Sequence, residues 1–104
     1  MLRPIAQPAL RAGFVPLADC APIIMAQELG LFRRHNLNVV LSRELGWATV
    51  RDKIILGELD VAHALAAMPL AATLGLGSIR CACVTGLVLN QNGNAITLSN
   101  DLWR

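Results

Sequence analysis

A chain of 104 residues is enough for one small domain, yet its 55% hydrophobic content and mean hydropathy of +0.52 exceed what a lone small domain normally buries. The excess points to a partner surface or to more of the same protein. The net charge of +2 comes from nine basic residues scattered from Arg3 to Arg104, and the aromatics are two Trp, two Phe and no Tyr. Without a basic block or a base-stacking platform, nucleic acid is excluded as a partner.

In chain order, residues 1–11 read as a disordered N-terminal segment. The stretch MLRPIAQPALRAGF is interrupted by Pro4, Gln7 and Pro8 and does not read as a secretory signal. From Gly13 onward short β-prone runs alternate with helical patterns, which predicts βαβ units and an α/β fold with a mostly parallel sheet. Gly13 to Leu17 is the first expected strand. A helix follows from about Pro22 to Leu29, with Pro22 in its first turn, where its missing N–H costs nothing, and Gly30 at its C-terminal cap.

After a charged turn, Arg33-Arg34-His35-Asn36, a second strand is expected over Asn38 to Ser42. Trp47, Val50, Ile54 and Ile55 then recur at helical spacing, and Gly57 closes that helix. Val61 to Ala64 reads as a third strand. A third helix has Pro69 near its start and Gly75 just past its end. Ala82 to Leu89 and Ala95 to Leu98 are read as further strands around the stretch LNQNGNAITLS, in which Asn92-Gly93 is a hairpin signal. Asn90, Gln91 and Asn94 are surplus to any two-residue turn. The longest apolar run, Val61 to Leu76, is too short and too interrupted to span a bilayer, so no membrane insertion is expected.

Ligands of open parallel sheets sit outside the carboxyl ends of the strands, here Leu17 to Cys20, Arg43 to Trp47, Ala64 to Met68 and Leu89 to Asn94. Two of these loops lead into helices whose first N–H groups are unpaired, the usual basis of a small-anion site. Each residue there has a plainer reading. Asp19 is also a natural helix cap, Trp47 a core filler, and His63 a satisfied rim residue of an apolar strand. Cys20, Cys81 and Cys83 show no metal-type spacing and read as thiols in a reducing compartment. Gly75 to Ser78, GLGS, follows a helix rather than a strand and is no phosphate loop. The four loops contain no nucleophile set, carboxylate pair or metal-ligand cluster, so catalytic residues, metal and cofactor are not expected. Neutral donors remain: backbone N–H groups, the Trp47 indole and the amides.

Read together, LADCAP, GWATVRDKIILGELDVAHAL and LNQNGNAI, in this order and at these spacings, resemble the nitrate/bicarbonate branch of the substrate-binding proteins of ABC transporters. The likeness extends over residues 12 to 102. It implies a type II periplasmic-binding-protein-like fold, of which residues 12–104 correspond to an incomplete first lobe. It implies a non-enzymatic function, the binding of a small anion such as nitrate or nitrite. It assigns ligand contacts to Trp47 and Asn94; at the position of Asn94 the family usually has glutamine, one methylene longer. Asp19 and His63, from their place at the carboxyl-edge loops, complete the expected ligand-binding set. Two relatives are compatible with the resemblance. One is a transport component working with an ABC permease. The other is a cytoplasmic nitrate sensor acting on an antiterminator regulator, and the absence of a signal and the free cysteines favour it and a cytoplasmic location, a periplasmic one following if an upstream signal is lost. The competing expectations are an enzyme of thiamine-precursor synthesis with the same fold, for which only His63 and Cys20 offer chemistry, and a non-functional gene fragment.

Overall fold

The structure, a computed structural model, describes residues 8–91 and 97–103. Its centre is a three-stranded, all-parallel sheet in the order β2-β1-β3, made of β1 (Leu10–Phe14), β2 (Val39–Arg43) and β3 (Val61–Ala62). Leu10 to Phe14 pair in register with Val39 to Arg43, and on the other side Ala12 and Gly13 pair with Val61 and Ala62. Helices α1 (Ala21–Glu28), α2 (Leu31–Arg34), α3 (Trp47–Ile55) and α4 (Ala67–Leu74) fill the connections and the segment after β3. The α/β class and parallel sheet are those expected.

Several boundaries differ from the sequence reading. The first strand begins at Leu10 rather than Gly13, because Arg11 is anchored across the sheet end: its backbone N–H and guanidinium both reach Asp60 Oδ2, at 2.9 and 3.1 Å. The charged turn before β2 contains one helical turn, α2, entered through Gly30 at φ 69°, a left-handed conformation that favours glycine. The third strand is only two residues long, extended by the His63 N–H bond to the Gly13 carbonyl at 2.9 Å.

The expected strand Ala82 to Leu89 is not formed. A strand needs a neighbour to complete its backbone hydrogen bonds, and this segment is tied to α4 instead. The Cys81 N–H bonds the Ala72 carbonyl at 2.8 Å, and the Cys83 N–H bonds the Thr73 hydroxyl at 3.0 Å. Val84, Leu87 and Val88 are left exposed, Val84 at 97%. Thr97 and Leu98 carry no strand either, and Asn92 to Ile96, with the expected hairpin, lie outside the described residues. A last short helix, α5, spans Asn100–Trp103.

The core is small. Ala12, Cys20, Val50, Leu59 and Ala72 are buried, while apolar side chains such as Leu70, Leu74, Ile79 and Leu87 face outward. At 16.8 Å the radius of gyration exceeds the roughly 13 Å typical of a packed domain of this length. Gly13 marks the tightest approach, since a Cβ there would come within 2.5 Å of Leu59 Cδ1. Among the described residues no helix is long and apolar enough to cross a membrane.

Candidate anion site at the carboxyl edge of the sheet

The central strand β1 ends in a loop that becomes a 3-10 turn, Ala18–Cys20, and this turn carries Asp19. Strand β2 ends at Arg43, and three residues later Gly46 starts α3, whose first residue is Trp47. His63 follows β3 directly. Because the chain places β2 on one side of β1 and then crosses to place β3 on the other, the connections diverge above β1, the switch point where open α/β sheets leave a crevice.

Three of the four residues singled out in the sequence meet there. His63 is 2% exposed, and its Nε2 lies 3.0 Å from Asp19 Oδ1. Among the described residues, Asp19 Oδ1 and both ring nitrogens of His63 are buried with no hydrogen-bond partner of suitable geometry. Buried polar atoms are nearly always paired, and three orphans in one contact are unusual. Trp47 stands edge-on to the imidazole with ring centroids 5.0 Å apart and planes at 75°, a geometry that aims the positive ring edge of one partner at the electron-rich face of the other. Asn94 lies outside the described residues. Its neighbour Asn90, one of the surplus amides, reaches the site and donates from Nδ2 to Asp19 Oδ2 at 3.0 Å.

The plainer reading of Asp19 as a helix cap does not hold, since neither the 3-10 turn nor α1 has a side-chain cap bond. Trp47 is half-buried rather than a core filler, and the buried residue of α3 is Val50. The α3 N-terminus adds donors without a cap: Gly46 makes no side-chain cap bond, and the first α3 N–H to find a carbonyl is that of Val50, on Gly46, at 3.1 Å.

One charged residue at this edge was not legible in the sequence. Glu44, 3% exposed, accepts from Ser42 Oγ at 2.6 Å and pairs with Lys53 Nζ at 2.8 Å, while its N–H bonds the Phe14 carbonyl at 2.8 Å. The bond from Lys53, and after it that from Ser42, holds the Glu44 carboxyl below its ordinary range. Glu44 thus stitches the ends of β1, β2 and α3 together beneath the loop that presents Trp47. Nothing in the spacing of Ser42, Glu44 and Lys53 distinguishes them from a solvated charge pattern.

Among the described residues no group of three or more His, Cys, Asp or Glu side chains could hold a metal ion. Cys20, Cys81 and Cys83 are free thiols.

The model of the NMT1-like family matches residues 3–104, nearly the whole chain. The chain belongs to the NMT1-like family. It is similar to the nitrate import ATP-binding protein NrtC of Synechococcus elongatus, at 49% identity over 94 residues, which are 89% of this chain and 14% of that protein. It is also 44% identical over 96 residues to the bicarbonate transport ATP-binding protein CmpC of Synechocystis sp., covering 90% of this chain and 14% of the relative. Similarity extends to the nitrate/nitrite binding protein NrtA of Synechocystis sp., at 33% identity over 98 residues, 88% of this chain and 22% of that one. The resemblance of this NMT1-like chain to the nitrate/bicarbonate substrate-binding proteins is therefore borne out, and the chain spans between 14% and 22% of the length of these relatives.

Proposed function

We propose that this chain forms part of the first lobe of a small-oxyanion-binding protein, with nitrate or nitrite as the preferred ligand class. The observation that carries this reading is the convergence of Trp47, His63, Asn90 and Asp19 at the switch point of the sheet, beside the uncapped N-terminus of α3. Donors from a helix end, an amide and an imidazole suit a planar oxyanion. The wide exposure of apolar side chains supports an incomplete lobe, with the remaining cover and the opposing ligand contacts supplied by further polypeptide.

Identity to the nitrate import ATP-binding protein of Synechococcus elongatus, 49%, exceeds the 44% to the bicarbonate counterpart of Synechocystis sp., which favours nitrate. It also exceeds the 33% to the stand-alone nitrate/nitrite binding protein. Relatives named as import and transport proteins support a module that works with transport machinery, an ABC permease among its partners. The glycine-rich stretch Gly75 to Ser78 follows α4 rather than a strand, which is not the context of a phosphate loop. The thiamine-precursor enzyme reading has less support, since His63 faces Asp19 and Trp47, and Cys20 is buried.

The test is a calorimetric titration of the chain with nitrate, nitrite, bicarbonate and a pyrimidine, with sulfate as reference. A handful of exposed-side hydrogen bonds at about 1 kcal/mol each gives dissociation constants on the order of millimolar. Saturable binding of nitrate or nitrite is expected. Saturation by the pyrimidine alone, or by none of the anions, overturns the reading.

A further inference from the structure

Asp19 sits at the start of a helix and caps nothing. Among the described residues its side-chain partners are Asn90, whose Nδ2 donates to Oδ2 at 3.0 Å, and His63, whose Nε2 lies 3.0 Å from Oδ1. A carboxylate is planar, carries one negative charge and presents two oxygens on one edge. Nitrate, nitrite and bicarbonate share that shape and charge.

The two partners differ in what holds them. The His63 side chain is 1% exposed and wedged against Trp47, so it is a fixed feature of the wall. The Asp19 side chain is 25% exposed and held on its outer side by an exposed hydrogen bond. Its Oδ1 lies 3.0 Å from His63 Nε2, yet among the described residues Oδ1 and both ring nitrogens have no hydrogen-bond partner of suitable geometry. A strong native ion pair would align its donor and acceptor. A misaligned carboxylate on a fixed, orphaned imidazole is the arrangement of an occupant that a better-shaped anion can replace.

We propose, building on the oxyanion reading above, that the Asp19 carboxylate holds the oxyanion's place against His63 and Asn90, and that an external oxyanion binds by displacing it. Two like charges cannot share these donors at hydrogen-bonding distance without strong repulsion. The displaced carboxylate turns outward into water, which costs little because it is already part-exposed. As a tethered competitor Asp19 is present at high effective concentration. It therefore sets a threshold that a point acceptor such as chloride fails and a planar oxyanion bridging both donors passes. Its role is that of a selectivity-setting competitor rather than a ligand contact. Glu44, the buried carboxylate at this edge, is committed to Lys53 and Ser42.

The experiment compares the chain with its Asp19→Asn and Asp19→Ala variants, titrated with nitrate, bicarbonate and chloride at constant ionic strength. The nitrate dissociation constant is expected to fall by about tenfold or more in both variants. In Asp19→Ala, which strips His63 of its neighbour, the Tm is expected to fall without added anion and to recover with nitrate but not with chloride. Should neither variant fold, the 13Cγ resonance of Asp19 in the parent chain is the readout, expected to move to the position of a solvated carboxylate as nitrate saturates. Unchanged or weaker nitrate binding in a folded variant, or a stationary Asp19 resonance at saturation, overturns the displacement and leaves the oxyanion site standing. Absence of saturable nitrate or bicarbonate binding in the parent and in both variants overturns the two together.

Discussion

The ring of Trp47 meets that of His63 edge-on, 5.0 Å between centroids and 75° between planes, and so joins the start of α3 to the end of β3. Such a contact contributes about 0.5–1.5 kcal/mol beyond the area it buries. Trp47→Ala should weaken nitrate binding more than Trp103→Ala does, since Trp103 is 81% exposed on α5. It should also cost less stability than the roughly 3–5 kcal/mol of deleting a fully buried tryptophan, because Trp47 is only half-buried. Denaturant melts and nitrate titrations on the same variants measure both quantities. An unchanged dissociation constant in folded Trp47→Ala would reduce Trp47 to a cover for His63.

Acid should loosen the frame beneath the site. The Glu44 carboxyl is held below its ordinary value of 4.5, first by the bond from Lys53, and Asp60 is lowered from 3.8 to about 2, first by the bond from Arg11. Groups whose folded pKa is depressed stabilise the fold above their unfolded pKa, and that contribution fades as pH falls through the folded one. Urea midpoints should therefore be level above about pH 5 and decline from there toward pH 2. In Lys53→Met the midpoint at neutral pH should drop, and the upper part of the acid decline should flatten. A parallel decline in parent and variant would refute the coupling of Glu44 to Lys53.

The segment 84–88 should exchange its amide hydrogens rapidly. Its backbone N–H groups have no partner among the described residues, in contrast to Cys81 and Cys83, which are tied to α4. Hydrogen–deuterium exchange should show protection at Cys81 and Cys83 and none from Val84 to Val88. Protection across the whole run would mean that the segment pairs as a strand.

Local signals located most of the α/β framework. Glycines that end helices, Pro22 in a first turn and the helical spacing of Trp47, Val50 and Ile54 depend on a residue's own backbone and near neighbours, and the positions of α1, α3 and α4 follow from them. The apolar run from Ala82 to Leu89 misled for the complementary reason. Its composition suits a strand, but a strand exists only when another edge accepts its hydrogen bonds, and here those bonds run to Ala72 and Thr73.

At the site the division is similar. Which loops gather at the carboxyl edge follows from the alternation of strands and helices, so Asp19, Trp47 and His63 were candidates from sequence alone. Their pairing was not readable: 44 residues separate Asp19 from His63 and 71 separate it from Asn90, and no local pattern encodes that Asp19 turns to them instead of capping α1. The burial of Glu44 was equally hidden, because a charged residue in a loop looks solvated until Lys53, Ser42 and the end of β1 close over it. Sequence determined the type and order of most elements and the residues brought to one edge, because torsional preference and periodicity are local. Tertiary structure alone decided which donor faces which acceptor, because hydrogen bonding and burial depend on atoms that the chain brings together only by folding.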